Sequence, residues 1–234
     1  MILCLETATS ICSVALCSDS GVRSLRESHE NKSHASSLTL FIEDLLKEQN
    51  LTVKDLEAIA VSKGPGSYTG LRIGVSVAKG MAYAASIPLI GIETTLSMVN
   101  GITGKGENKI PAGSNTLYCP MLDARRMEVY YAVYTSTGKI IKGIAAEIMD
   151  ENSFNDIPVN FRIIFFGEGA AKCKNLIKRK NSFFADEFIM SASHMYKPAY
   201  EAFNHKRFED VAYFEPLYLK DFITTVQKKN ILKR

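Results

Sequence analysis

The chain has 234 residues, 46% of them hydrophobic and 23% charged, with a formal net charge of +3. That length supports a substantial core in one large or two small domains. A charge this small does not by itself call for a nucleic-acid ligand. No apolar run reaches the ~20 residues of a membrane span, and the N-terminus reads as neither a basic leader nor a cleavage site. The five cysteines are odd in number and form no Cys-x-x-Cys pair, as in reduced cytoplasmic proteins, so a cytoplasmic address without membrane contact is expected.

The first thirty residues read as strands at Ile2–Leu5, Ile11–Cys17 and Val22–Ser28, the last two joined by the Ser18-Asp-Ser-Gly21 turn. Ser33 can cap a helix over His34–Lys47, with Ala35, Leu38, Phe41, Ile42, Leu45 and Leu46 on one face. Thr52-Val-Lys-Asp55 has the form of a capping box for one short helical turn, and Ala58–Val61 is a strand. Gly64-Pro-Gly66 then makes a tight turn into a long helix that Ser86-Ile-Pro88 ends. Leu89–Ile92 reads as a strand and Thr94–Val99 as a short helix. The glycine-rich stretch 100–114 is the expected junction between a domain at 1–105 and a smaller one at 106–234. Beyond it, strands are expected at Leu117–Leu122, Glu128–Tyr134, Ile163–Phe166 and Phe214–Leu219, with helices at Glu168–Lys178 and Ser191–Phe203. A three-strand meander followed by alternating helix and strand implies an α/β fold with mixed sheets.

In the long helix, Gly70, Gly74, Ala78 and Ala82 recur every fourth residue. A mid-helix glycine costs about 1 kcal/mol against alanine, so close approach of a ligand or another helix is expected along this ridge. Arg72, Ser76, Lys79 and Tyr83 form a narrow polar stripe. The remaining apolar and small face is about twice the width needed to sit on one sheet. Its extra flank carries Leu71, Val75, Ala78 and Ala82, and Leu40 lies off the core face of the preceding helix. The pattern fits a two-helix surface for another subunit and equally fits extra packing inside the chain.

Catalytic motifs are mostly refused. Counting from the glycines gives no Gly-Lys-Ser/Thr, Ser67 is not centred in a Gly-x-Ser-x-Gly, and the four histidines form no i,i+4 pair. Asp123, Arg125 and Glu128 fit either a polar site or an ion-pair network at a strand end. Lys172, Lys174, Lys178, Arg179 and Lys180, with Lys228, Lys229, Lys233 and Arg234, fit either solvated surface or an auxiliary phosphate contact. The first turn, Glu6-Thr-Ala-Thr-Ser10, stands where an actin-like ATPase holds phosphate, but with Glu6 for aspartate and Ala8 for glycine. Glu6, Thr7 and Thr9 are therefore expected to be a vestigial nucleotide loop. No cofactor is expected to be required, and weak nucleotide binding stays open.

Leu3-Cys-Leu-Glu-Thr-Ala-Thr-Ser10, His34-Ala-Ser-Ser-Leu38, Gly64-Pro-Gly-Ser-Tyr-Thr-Gly-Leu-Arg-Ile-Gly74, Asp123-Ala-Arg125 with Glu128-Val-Tyr130, and Glu215-Pro-Leu-Tyr-Leu219 resemble the TsaB (YeaZ) family of bacterial tRNA modification. The resemblance is dense to about residue 134 and sparse after it. It implies an actin-like, ribonuclease-H-like ATPase fold of two subdomains. It also implies a non-catalytic role in making threonylcarbamoyladenosine beside the anticodon, since the paired-histidine metal site of the catalytic relative TsaD has no counterpart here. Partners implied are a TsaD-type catalytic subunit in a heterodimer, a TsaE-type P-loop ATPase, and a second copy through the same helices, with tRNA contact indirect or auxiliary. Partner-binding residues are expected at Ser37, Leu40, Leu71, Arg72, Gly74, Val75, Ala78 and Lys79, with Gly74 facing outward so that Gly74→Arg blocks pairing in a folded monomer. The rival reading is a nucleotide hydrolase or protease-like enzyme of the same superfamily.

Overall fold

The computed structural model describes residues 1–29, 34–104, 113 and 115–220. Strands β1 (Ile2–Glu6), β2 (Cys12–Ser18) and β3 (Gly21–Ser28) form an antiparallel meander. Helix α1 (His34–Glu48) follows, then β4 (Ala58–Gly64), α2 (Tyr68–Ala85), β5 (Leu89–Glu93) and α3 (Thr94–Gly104). β4 and β5 add in parallel to β1, giving the order β3-β2-β1-β4-β5. The second sheet contains β6 (Thr116–Asp123), β7 (Glu128–Thr135), β8 (Ile140–Ile148), β9 (Arg162–Phe166) and β10 (Ser182–Ala185), in the order β10-β9-β6-β7-β8. Here too the first three strands are antiparallel and the last two parallel, so both sheets have one connectivity. The fold is thus a two-subdomain, actin-like α/β fold.

Strict alternation in buried strands sorts the core into layers. Leu3, Leu5, Val14, Leu16, Ile59 and Val61 face α1 and α2. Ile2, Cys4, Ala15, Ala58, Ala60 and Ile90 face the opposite way, onto Ala199 and Ala202 of α5 (Tyr196–Asn204). The chain therefore crosses back to the first sheet after building the second. Helix α3 packs Met98, Val99 and Ile102 on the second sheet, where Thr95 and Tyr134 share a 2.8 Å hydrogen bond.

Several expectations need correction. Helix α4 (Glu168–Cys173) stops short of the expected residue 178. The segment 214–219 forms no strand; Leu217 N–H donates to the Lys63 carbonyl at 2.6 Å, and Phe214 N–H closes a local turn onto Asp210 O at 2.8 Å. β8 and β10 were not expected. The Ser33 cap, most of the 100–114 junction beyond Gly104, and the basic C-terminal cluster lie outside the described residues.

Candidate functional site

β1 and β4 run parallel in the first sheet and β6 and β9 in the second, and the carboxyl ends of such strands are where open α/β sheets place ligands. The first turn, between β1 and β2, is packed from Glu6 to Thr9, with Ser10 exposed. Glu6 and Thr7 are wholly buried and Thr9 nearly so. Glu6 Oε1 accepts from the Ala8 N–H at 2.6 Å, while Oε2 and Thr7 Oγ1 have no partner. Burial pushes the Glu6 carboxyl up to about 7, against the opposing pull of the Ala8 N–H, Ser62 and the Thr7 N–H. Ser67 caps α2, its hydroxyl accepting from the Gly70 N–H, and its own N–H donates to the Ala8 carbonyl at 2.7 Å. A Cβ at Gly70 would collide with the Thr7 carbonyl, and one at Gly74 with Thr7 Oγ1. The glycine ridge exists to seat α2 on this turn.

Gly74 consequently faces inward, and Leu71, Val75, Ala78 and Ser37 are also buried within the chain. The wide apolar face of α2 is covered on one flank by the sheet and on the other by the turn. The outward surface of the α1–α2 pair is instead drawn by Leu40, 57% exposed, with Arg72, Ser76, Gly80 and Tyr83 exposed and Ile73 and Val77 half-buried. A Cβ at Gly80 would meet nothing within 4 Å.

Arg72 and Lys79 are tethered to the segment that follows α5. Arg72 Nε donates to the Tyr218 hydroxyl at 3.1 Å and its guanidinium lies 4.2 Å from the Tyr68 ring centre. Lys79 donates to the carbonyls of Ala212 and Phe214 at 3.1 and 2.9 Å. Gly64 and Gly91 let this segment lie close: a Cβ would sit 2.8 Å from Leu217 O in one case and 3.0 Å from the Phe214 ring in the other. At its end Lys220 pairs with Glu128, so the segment straps one subdomain to the other.

The second turn, between β6 and β7, stands where the first does in its own sheet, but it is open. Lys172 reaches in from α4 and donates to Asp123 Oδ1 at 2.5 Å and to the carbonyls of Arg126 and Glu128 at 2.8 and 2.7 Å. Asp123 Oδ1 also accepts from the Arg125 N–H at 2.8 Å. Burial pushes this carboxyl up, yet the Lys172 ammonium and the Arg125 N–H outweigh it and hold it below the usual range. Arg125 and Arg126 both adopt left-handed backbone, φ 70° and 51°. A left-handed residue other than glycine carries a strain of about 1–2 kcal/mol.

Asp123 and Glu128 therefore belong to an ion-pair network, one of the two readings open from sequence. Three of the five basic residues at 172–180 are engaged within the chain, while Lys178 and Lys180 are exposed. Lys172 is consumed by the turn, Lys174 pairs with Asp186 at 2.6 Å, and buried Arg179 donates to the carbonyls of Lys180, Ile157, Pro158 and Phe161. Gly80, the strap and the strained Arg125–Arg126 pair were missed. The last left no turn signal, because a hairpin turn with two left-handed residues normally reads Asn-Gly and this one reads Arg-Arg. Among the described residues no group of His, Cys, Asp and Glu side chains could hold a metal ion, and no helix is long and apolar enough to cross a membrane.

The family described as "TsaD: tRNA N6-adenosine threonylcarbamoyltransferase" matches residues 28–226. The chain is similar to the tRNA threonylcarbamoyladenosine biosynthesis protein TsaB of Escherichia coli, 37% identical over 134 residues, which is 57% of this chain and 54% of that relative. It is 26% identical to the TsaB of Haemophilus influenzae over 95% of this chain and 94% of the relative. Among solved structures, YeaZ from Pseudomonas aeruginosa superposes with a TM-score of 0.79 at 22% identity, over 93% of this chain and 99% of that one.

Proposed function

The chain belongs to the TsaB (YeaZ) family within the wider TsaD family, and from that premise we propose that it is a non-catalytic scaffold in tRNA threonylcarbamoyladenosine biosynthesis. In this reading it binds a TsaD-type transferase through the outward face of α1 and α2 and holds it in an active arrangement in the cytoplasm. The same face pairs two copies when the transferase is absent, and a TsaE-type ATPase joins the assembled pair. Gly80 is the observation that carries it. Gly70 and Gly74 are explained inside the chain, by the turn beneath them. Gly80 sits mid-helix on the open face with nothing near it, at a cost of about 1 kcal/mol against alanine. Close approach of another backbone accounts for that cost, and exposed Leu40 and half-buried Ile73 and Val77 supply apolar area around it.

Gly80→Arg is the test, replacing Gly74→Arg, whose side chain would be driven into Thr7. The Gly80→Arg chain should fold as well as the parent and lose co-elution with a TsaD-type transferase and the threonylcarbamoylation it supports. Undiminished co-elution of a folded Gly80→Arg chain would remove this face from the interface.

A further inference from the structure

The β6–β7 turn is held far more firmly than its exposed position requires. One lysine, only 20% exposed, satisfies three oxygens of the turn, and the Asp123 carboxylate fixes the backbone N–H of Arg125. What this clamp presents is a pair of adjacent, solvent-exposed guanidinium groups on strained backbone. Neither guanidinium has a hydrogen-bond acceptor among the described residues: Asp123, whose charge Arg125 does feel, is bonded to Lys172, and Glu128 to Lys220. The two lysines thus engage the acidic groups beside the arginines and leave both guanidinium forks open to solvent. The turn also lies at the carboxyl end of β6, on the ligand-facing edge of the sheet. Strain kept at an exposed turn points to a use for the side chains it carries.

We propose that this turn is an RNA-backbone contact, in which Arg125 and Arg126 each pair with a phosphate of a structured tRNA. The inference rests on the reading that the chain works in a tRNA-modifying complex, and it moves the phosphate contact away from the 172–180 run. Guanidinium groups suit this role because their planar forks pair bidentately with phosphate oxygens. Each phosphate neutralised lowers the slope of log affinity against log salt by about 0.7–0.9.

The test is binding of a labelled, unmodified tRNA transcript across a salt series, by the full chain alone and in complex with a TsaD-type transferase. Arg125→Asn/Arg126→Gly is the informative variant, because Asn and Gly suit left-handed backbone and the fold should be at least as stable. Affinity is expected to fall about tenfold or more, with the salt slope flattened by about 1.4–1.8. Lys178→Ala/Lys180→Ala, at the other end of the sheet, should change neither. The proposal is overturned by unchanged affinity and slope in the turn variant, by loss in the lysine variant instead, or by no salt-sensitive binding of the parent in either state. It is also overturned if the turn variant binds tRNA normally but loses the transferase, which would make the turn a protein contact. Failure of the parent chain to bind the transferase would instead count against the scaffold reading, and tRNA binding by the chain alone would still decide this one.

Discussion

The turn after β1 and the turn after β6 occupy equivalent places in sheets of the same connectivity, and each, or the strand end leading into it, is supported from behind by glycines of the loop and helix that follow the fourth strand. Gly66 and Gly70 admit Ala8 and Thr7 in the first; Gly167 and Gly169 admit Met121 and Leu122 in the second, where a Cβ would lie 2.6 and 2.8 Å from their carbonyl oxygens. The supports agree and the contents differ. The first turn encloses a buried carboxyl with one oxygen unpartnered among the described residues, under an 18-residue helix. The second is bound open by a lysine under a six-residue one. A glycine in such a helix therefore reports contact within the chain unless space beyond it is empty.

The sharpest way to break the comparison is to add a methyl group behind the first turn. Gly70→Ala drives Cβ into the Thr7 carbonyl, which as backbone cannot swing aside, and should lower stability in urea unfolding by about 3 kcal/mol or more. Gly169→Ala should cost less, because Leu122 O is 2.8 Å away and α4 is short enough to shift. Equal losses would mean that the two supports are not tuned differently.

The acids of the two turns should respond to pH with opposite signs. Glu6 is raised from 4.5 to about 7 by burial, so between these values the folded chain holds a proton that the unfolded chain has released. Stability should fall as pH rises through that window, by about 3 kcal/mol at 1.36 kcal/mol per unit, and level off above it. Glu6→Gln should flatten the fall. Asp123 is lowered, so its contribution is present above 3.8 and lost as pH drops below it. Being half exposed, it contributes well under 1 kcal/mol. A stability curve without the fall between 4.5 and 7 would mean that water reaches Glu6.

Removing the clamp of the second turn should have a smaller effect than Gly70→Ala. Lys172→Met leaves the Arg126 and Glu128 carbonyls to find water, which is at hand, and should cost about 1–2 kcal/mol. Amide exchange at Glu128, whose N–H closes the turn onto Arg125 O at 3.2 Å, should accelerate more than at strand-centre Tyr131. Uniform acceleration would show that Lys172 supports the whole subdomain and not the turn.

Much of this was legible from residue order. Of the six residues expected on the buried face of α1, Leu38, Ile42, Leu45 and Leu46 are buried, Phe41 is half-buried and Ala35 is exposed, and Thr52 and Asp55 make the capping box that their spacing implies. The direction of the glycine ridge was not legible. A helical wheel separates faces but does not say that the β1–β2 turn will cover the second flank of α2. The shared connectivity was hidden because equivalent helices differ threefold in length. β8 is an edge strand with apolar residues facing both ways, Ile140 and Ile141 among them, so no alternation marks it. Phe214, Leu217 and Leu219 give 214–219 the apolar content of a strand without its alternation, and the strap lies on glycines of β4 and β5 by close packing and not by ladder pairing.

The mildest change tests the comparison where it touches function. Gly80→Ala adds a methyl group that meets nothing within 4 Å, so in the free chain it should stabilise α2 by about 1 kcal/mol or slightly less. If the glycine serves another backbone, the same methyl group should weaken association with a TsaD-type transferase while the free chain gains stability. The two effects have opposite signs, and general damage to the fold cannot produce them together. A gain in stability with unchanged association would place the partner's backbone elsewhere on the α1–α2 face. A loss of stability would mean that Gly80, like Gly70 and Gly74, answers to its own chain.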